Sequence, residues 1–213
     1  MRMRDSWNRV VYRLWSPIYD PLLTRLFQRG RTRALQLLDL EAGERVLLVG
    51  VGTGADLPLL PEGVSALGVD LSGPMLARAR AKLPLPGREI TLEEGDAQRL
   101  WVEPESFDAA VLNLILSVVP DPVSCLHEAL RALRPGGRAV VFDKFLPDGR
   151  RGTLGRRLAN QFSTLFGTDI TRHFGEIVAG APCEVLLDEP SIARGAYRVI
   201  LLRKTEAARA RGA

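Results

Sequence analysis

The stretch Val46-Leu-Leu-Val-Gly-Val-Gly-Thr-Gly54 constrains the fold of this chain more than any other. Its unbroken apolar run reads as a strand buried on both faces, and its alternating glycines as a turn. Gly68-Val-Asp70 ends a second such strand in a carboxylate, and Gly95-Asp96-Ala97 repeats the strand-then-acid pattern one unit later. Three strand ends of this kind hold a nucleoside on three sides. Glycine lets the backbone approach a ligand with no Cβ in the way. Asp70 is placed to accept hydrogen bonds from two ribose hydroxyls, and Asp96 to accept one from an adenine amino group.

The glycine turn alone leaves two readings. Gly50-x-Gly52-x-x-Ala55 also satisfies the dinucleotide fingerprint, with an acid at the right distance. Two features favour S-adenosylmethionine. The third glycine falls at Gly54, which crowds the backbone around a small amino-acid moiety, and Gly95-Asp96-Ala97 recurs where an adenine lies. The expectation is a methyltransferase rather than a dehydrogenase. The plainer alternative is a strand–turn–helix whose glycines serve packing only.

A chain of 213 residues is long enough for one α/β domain with a full core. Its longest apolar runs fall far short of a membrane span. Met1-Arg-Met-Arg-Asp-Ser-Trp7 lacks the apolar stretch and cleavage site of a secretory signal, so a cytoplasmic protein is expected. Cys125 and Cys183 are isolated and suit a reducing compartment. With only His127 and His173, no metal centre is expected, and His127 reads as structural.

Along the chain, residues 5–39 read as helical, broken at Pro17 and Pro21, with the second segment running from Leu22 to Leu38. Strands are expected at 45–50, 64–70, 89–94, 107–113 and 137–144, and helices at 54–60, 73–83 and 121–134. This alternation argues for a parallel sheet covered on both faces, a Rossmann-like α/β fold. Arg134-Pro-Gly-Gly137 reads as a firm helix stop. Helices at 153–166 and 169–179 and strands at 183–188 and 196–203 follow, the two strands joined by a turn around Pro190 to Gly195. The expected division is a helical lid over 1–40, a catalytic domain over 41–204 and a frayed tail over 205–213.

The core from Val46 to Phe142 resembles the class I S-adenosylmethionine-dependent methyltransferases, through the three motifs above and Leu133-Arg-Pro-Gly-Gly137. This resemblance implies a seven-stranded sheet whose last strand is antiparallel. Tyr12-Arg-Leu-Trp-Ser-Pro-Ile-Tyr-Asp20 with Gly30-Arg31, Gly52-Thr-Gly-Ala-Asp-Leu-Pro58 and Val118-Val-Pro-Asp-Pro122 look like the bacterial phospholipid N-methyltransferases, which methylate phosphatidylethanolamine. The ubiquinone and menaquinone C-methyltransferases resemble it more distantly.

The resemblance implies that Tyr19 folds over the cofactor and helps close the site; its hydroxyl or ring face is also suited to orienting the amine, and the plainer reading is a helix-end aromatic packed on the core. The resemblance also implies that Gly50, Gly52, Thr53 and Gly54 face the methionine portion, and that Asp70 takes the ribose. Leu71 and Met75 would lie against the adenine, and Asp96 and Ala97 on its edge. Asn113 and Leu114 would lie beneath the sulfonium. Phe142-Asp143-Lys144-Phe145 departs from the more usual polar or histidine-bearing segment.

Methyl transfer needs an aligned, neutral nucleophile and little else, so no dedicated base is assigned. Lys144, Arg150, Arg151, Arg172 and His173, with Arg156 and Arg157, are placed to receive a phosphate head group; the plainer reading is a solvated helix face. Asp143 either enters the site or pairs with Lys144 or an arginine. The first helix sets Trp7 and Trp15 on an apolar face flanked by Arg2, Arg4, Arg9 and Arg13, which suits an anionic membrane surface at the inner face or a lid packed on the domain.

Four functions compete: a lipid amine N-methyltransferase, a quinone or other small-molecule methyltransferase, a nucleic-acid enzyme and a non-catalytic cofactor module. No recognition helix or basic aromatic platform supports the third, so no nucleic-acid partner is expected. A monomer is the favoured state, with S-adenosylhomocysteine as the cofactor product.

Overall fold

A computed structural model describes residues 27–146, 172–192 and 195–206. Residues 27–38 form helix α1. Strand β1 (Arg45–Val49) follows, then β2 (Ser65–Asp70), α2 (Gly73–Arg80), β3 (Glu89–Glu94), β4 (Phe107–Asn113), α3 (Pro122–Ala132), β5 (Leu133–Lys144), α4 (Phe174–Val178), β6 (Cys183–Pro190) and β7 (Tyr197–Lys204). The seven strands form one sheet in the order β3-β2-β1-β4-β5-β7-β6. Strands β1 to β5 pair in parallel, and β7 runs antiparallel to both β5 and β6, as the sequence led us to expect.

Period-two alternation sorts the side chains into two cores. Leu47 and Val49 of β1 point with Leu112, Val141 and Ile200 toward α3 and α4, where Leu126, Leu130, Phe174 and Ile177 meet them. Val46 and Leu48 point the other way, with Val111, Val140, Phe142 and Val199, onto Phe27, Leu35 and Leu38 of α1 and Leu76 and Ala79 of α2. Burial on both faces explains why the central strands read as continuous apolar runs.

Several elements differ from expectation for local reasons. Residues 54–60 do not form an α-helix; only Leu57–Leu59 turn, as a 3₁₀ segment. Pro61 forces Leu60 into an extended conformation, φ −64° and ψ 138°, which ends the turn. Strand β5 begins at Leu133 rather than 137. Helix α3 does stop at Ala132, just ahead of Arg134-Pro-Gly-Gly137, and those four residues form an irregular bulge inside β5, whose register with β4 jumps from Phe107↔Leu133 to Ala109↔Arg138. Helix α4 starts only at Phe174, because His173 is extended and bridges Leu146 in parallel. Helix α3 starts where Asp121 and Pro122 predicted: the Asp121 carboxylate accepts from the Ser124 amide at 3.1 Å. The helix expected over 153–166, and the first segment with Trp7 and Trp15, lie outside the described residues.

The chain runs outward from β1 through β2 to β3, then returns to build β4 and β5 on the other side. That reversal opens a crevice beyond the carboxyl ends of β1 and β4, where ligands of open α/β sheets bind.

Candidate active site

A cavity of about 270 Å³ occupies this crevice. Gly50, Gly52 and Thr53 line it from the turn after β1, Asp70, Leu71 and Met75 from the end of β2, and Asp96 and Ala97 from the turn after β3. Asn113 and Leu114 reach it from the end of β4, and Lys144 from the end of β5. The strand ends therefore bring most of the sequence-selected residues to one wall.

Asp70 is held by two backbone amides. Its Oδ2 accepts from the Gly52 amide at 2.8 Å and its Oδ1 from the Ser72 amide at 2.9 Å. The glycine turn and the carboxylate are thus one unit. Each oxygen keeps a lone pair for a ligand hydroxyl. Burial pushes the carboxyl above the usual carboxylate range, against the two amides that hold it down, and nearby Glu94 adds to the rise.

Asp96 is held by Gln98, whose amide and side-chain Nε2 both donate to Oδ1, at 2.8 and 2.9 Å. The Gln98 Oε1 accepts from the Asp121 amide at 2.8 Å, which ties this turn to the start of α3. Oδ2 of Asp96 faces no partner among these bonds, so an amino donor has an acceptor available there.

Gly54 stands apart from the wall. A Cβ there would lie 2.7 Å from Leu57 Cδ1 and 3.0 Å from Ala79 Cβ, so this glycine seats the turn on α2. A Cβ on Gly52 would meet only the Gly50 carbonyl, at 4.0 Å, and would otherwise project into open space. Arg172 turns its guanidinium to the backbone, donating to the carbonyls of Leu116 and, at 2.7 Å, Val119. With His173 it lies off the cavity lining. Tyr19, Arg150, Arg151, Arg156 and Arg157 lie outside the described residues.

Asp143 does not enter the cavity. It is fully buried on the α3 side, where Oδ2 accepts from the Ser117 amide at 2.9 Å and Oδ1 from the Lys144 amide at 2.8 Å. Burial raises its pKa above the ordinary range. Arg172 and Asp143 thereby fix the loop after β4, whose Leu114 holds the left-handed conformation, φ 61°. Burial also pushes the Cys125 thiol up, which keeps it protonated and unreactive. Among the described residues no group of three His, Cys, Asp or Glu could hold a metal ion.

Sequence reasoning missed a buried polar chain on the wall. Arg31 Nη1 donates to Asp56 Oδ2 at 2.6 Å, and Asn113 Nδ2 donates to Asp56 Oδ1 at 3.0 Å. Both residues sat in quoted motifs, Gly30-Arg31 and Gly52-Thr-Gly-Ala-Asp, without a role. An acid and an arginine 25 positions apart give no local signal of contact.

A methyltransferase-domain family matches residues 47–141. A phosphatidylethanolamine N-methyltransferase of Cereibacter sphaeroides is 38% identical over 157 residues, which cover 72% of this chain and 76% of the relative. The chain is an S-adenosylmethionine-dependent methyltransferase. A demethylmenaquinone methyltransferase of Thermus thermophilus is 36% identical to this methyltransferase over 148 residues, 66% of each chain. The solved structure of a Thermotoga maritima S-adenosylmethionine-dependent methyltransferase, described as a possible histamine N-methyltransferase, superposes with a TM-score of 0.66 at 25% identity, covering 92% of this chain and 99% of that one. The methyltransferase's own geometry fits the cofactor. The open space beside Gly52 accommodates a ligand where a Cβ would stand, and the Asp70 carboxylate is presented to it by two backbone amides.

Proposed function

We propose that this methyltransferase acts on the ethanolamine nitrogen of phosphatidylethanolamine, or of its methylated forms, at a membrane surface. The likeness to a phosphatidylethanolamine N-methyltransferase over 76% of that relative's length carries the reading. Lys144 at the cavity supports it, because it brings a cation to the place where a head-group phosphate would lie.

When bound, S-adenosylmethionine supplies an activated methyl on a sulfonium. Asp70 takes the ribose hydroxyls, with Leu71 and Met75 against the adenine and Asp96 and Ala97 at its edge. Gly50, Gly52 and Thr53 leave room for the amino-acid end, and Asn113 and Leu114 form the floor. Ile115, Val118 and Val119 line the same cavity with apolar surface. They exclude water from the acceptor amine and favour its neutral, nucleophilic form. Tyr19 closes the site, Arg150 and Arg151 add to the phosphate contact, and the residues that precede α1 act as a lid that meets the membrane through Trp7 and Trp15. Among the described residues no helix is long and apolar enough to cross a bilayer.

The likeness to demethylmenaquinone methyltransferases supports a second reading, transfer to a quinone ring carbon. Labelled methyl transfer decides between them. The protein is given labelled S-adenosylmethionine with anionic vesicles containing either phosphatidylethanolamine or a demethylquinone. Labelled mono-, di- or trimethylated phospholipid is the expected product. Label in the quinone alone overturns the lipid reading.

A further inference from the structure

Three aromatic rings cluster around Tyr197, the register partner of Lys144, and two of them line the cavity. Phe27 and Tyr197 line it with ring centroids 5.0 Å apart, tilted by 43°. Phe142 lies behind them, 6.0 Å from Phe27 and 5.8 Å from Tyr197. Phe142 is fully buried, so it supports the other two rings and does not itself face a ligand.

The position of these rings is fixed from several directions. A Cβ on Gly30 would fall 2.3 Å from the Phe142 ring, so α1 approaches the sheet as closely as a glycine allows. The Arg31–Asp56 pair anchors the next residue of the helix. Lys144 is the cross-strand partner of Tyr197 and therefore shares its face of the sheet. The wall thus combines two aromatic rings with one lysine.

That combination suits a phosphodiester joined to a methylated amine. Ring faces attract a cation through the ring quadrupole, and they do so best when it is weakly hydrated. Each N-methyl group added to an ammonium removes an N–H and with it a hydration site, and adds apolar surface. Lys144 would meet the phosphate, which offsets its repulsion of the amine. The Arg31 charge is already matched by Asp56.

Building on the phospholipid reading, we propose that Phe27 and Tyr197 form a recess for the N-methyl groups of the acceptor head group, with Lys144 on its phosphate. The recess makes the enzyme hold methylated intermediates more tightly than the unmethylated amine, which favours successive transfers.

The test uses the full-length protein with S-adenosylhomocysteine and two soluble probes, phosphoethanolamine and phosphocholine, in titration calorimetry. Phosphocholine is expected to bind more tightly by roughly 3- to 30-fold, the range of a ring–cation contact. Tyr197→Leu and Phe27→Leu should each flatten that ratio, whereas Tyr197→Phe should keep it. Lys144→Met should weaken both probes equally. Unchanged affinity for S-adenosylhomocysteine serves as the check that a variant is folded. Equal binding of the two probes by the wild type, or a ratio that survives both leucine variants, overturns the recess. Labelled transfer to phosphatidylethanolamine vesicles by the wild type runs alongside. Transfer without probe preference overturns the recess alone, and no transfer overturns it together with the lipid reading.

Discussion

Arg31 and Asp56 form a largely buried ion pair at the cavity wall, with Arg31 Nη1 2.6 Å from Asp56 Oδ2. The pair joins elements that the sequence separates. Arg31 belongs to α1, Asp56 to the segment after the glycine turn, and Asn113, on the other carboxylate oxygen, to the end of β4. A helix outside the sheet is thereby tied to the two strand ends that flank the crevice. Two donors share one small carboxylate, and Nε of Arg31 and Oδ1 of Asn113 stay buried with no hydrogen-bond partner.

Removing the carboxylate should therefore be costly. Asp56→Ala leaves a largely buried guanidinium without its counter-charge, which costs up to roughly 3–5 kcal/mol. For a domain of this size that is a fall in melting temperature of roughly 6–20 °C by calorimetry. Arg31→Met combined with Asp56→Leu should recover much of the stability, because a matched apolar pair carries no uncompensated charge. A single substitution that melts within a degree or so of the wild type would show that the pair is not buried in solution.

Gly52 and Gly54 should respond differently to the same change. Both hold positive φ, 56° and 74°, so alanine at either costs roughly 1–2 kcal/mol in backbone strain. At Gly54 the added methyl also strikes Leu57 and Ala79, which adds roughly 1–3 kcal/mol of overpacking. At Gly52 it enters the cavity instead. Gly54→Ala should show the larger loss in thermal melts, and Gly52→Ala the larger loss of S-adenosylhomocysteine affinity relative to its stability.

The fold was legible because its signals are local. Apolar runs such as Val46–Val49, glycine turns and the Asp121-Pro122 cap each declare themselves within a few residues. The strand-end rule then placed Gly52, Asp70, Asp96 and Asn113 on one crevice without further information. What escaped the sequence was pairing over distance. Arg172 read as a phosphate ligand beside the basic run that follows β5, yet it serves the backbone carbonyls of a loop more than 50 positions earlier. Gly54 read as a ligand glycine because it completes the motif, yet its neighbours are Leu57 and a helix that only the folded chain brings near. Asp143 was ambiguous for a simpler reason. Alternation along β5 puts it on the opposite face from Lys144, and the face that borders the crevice is set by tertiary packing.

Asp70 should control cofactor affinity and its pH dependence. Its two oxygens each accept from one amide, so Asp70→Asn turns an amino group against either Gly52 or Ser72 and also loses the charge. Calorimetry should show S-adenosylhomocysteine affinity reduced by roughly 10- to 100-fold, the loss of one to two charge-assisted hydrogen bonds. Because burial raises the Asp70 pKa, wild-type affinity should begin to fall on acidification before an ordinary carboxylate would protonate. The Asn variant should lack that component. Unchanged affinity in the variant would remove Asp70 from the cofactor site.

Asp143 should give a pH dependence of stability opposite to that of a salt-bridged acid. Burial raises its pKa, so the folded protein keeps a proton at pH values where the unfolded chain has released it. In that window stability falls as pH rises, and above the folded pKa it is level. Asp121, lowered first by its bond from the Ser124 amide, and Glu128, lowered first by Arg131, act in the other direction. Their contributions are present above the ordinary carboxylate value and are lost as pH falls through their folded pKa. A difference measurement separates the two classes. Urea melts of the wild type and of Asp143→Asn, from about pH 4 to about pH 8, cover the range in which a raised carboxyl titrates. The Asn amide opposes either the Ser117 or the Lys144 N–H, which costs roughly 1–3 kcal/mol. The stability gap between wild type and variant should therefore be widest at the acid end and narrow as pH rises. A gap independent of pH would mean that Asp143 does not titrate in this range, and that its role is confined to pinning Ser117 and the loop that borders the cavity.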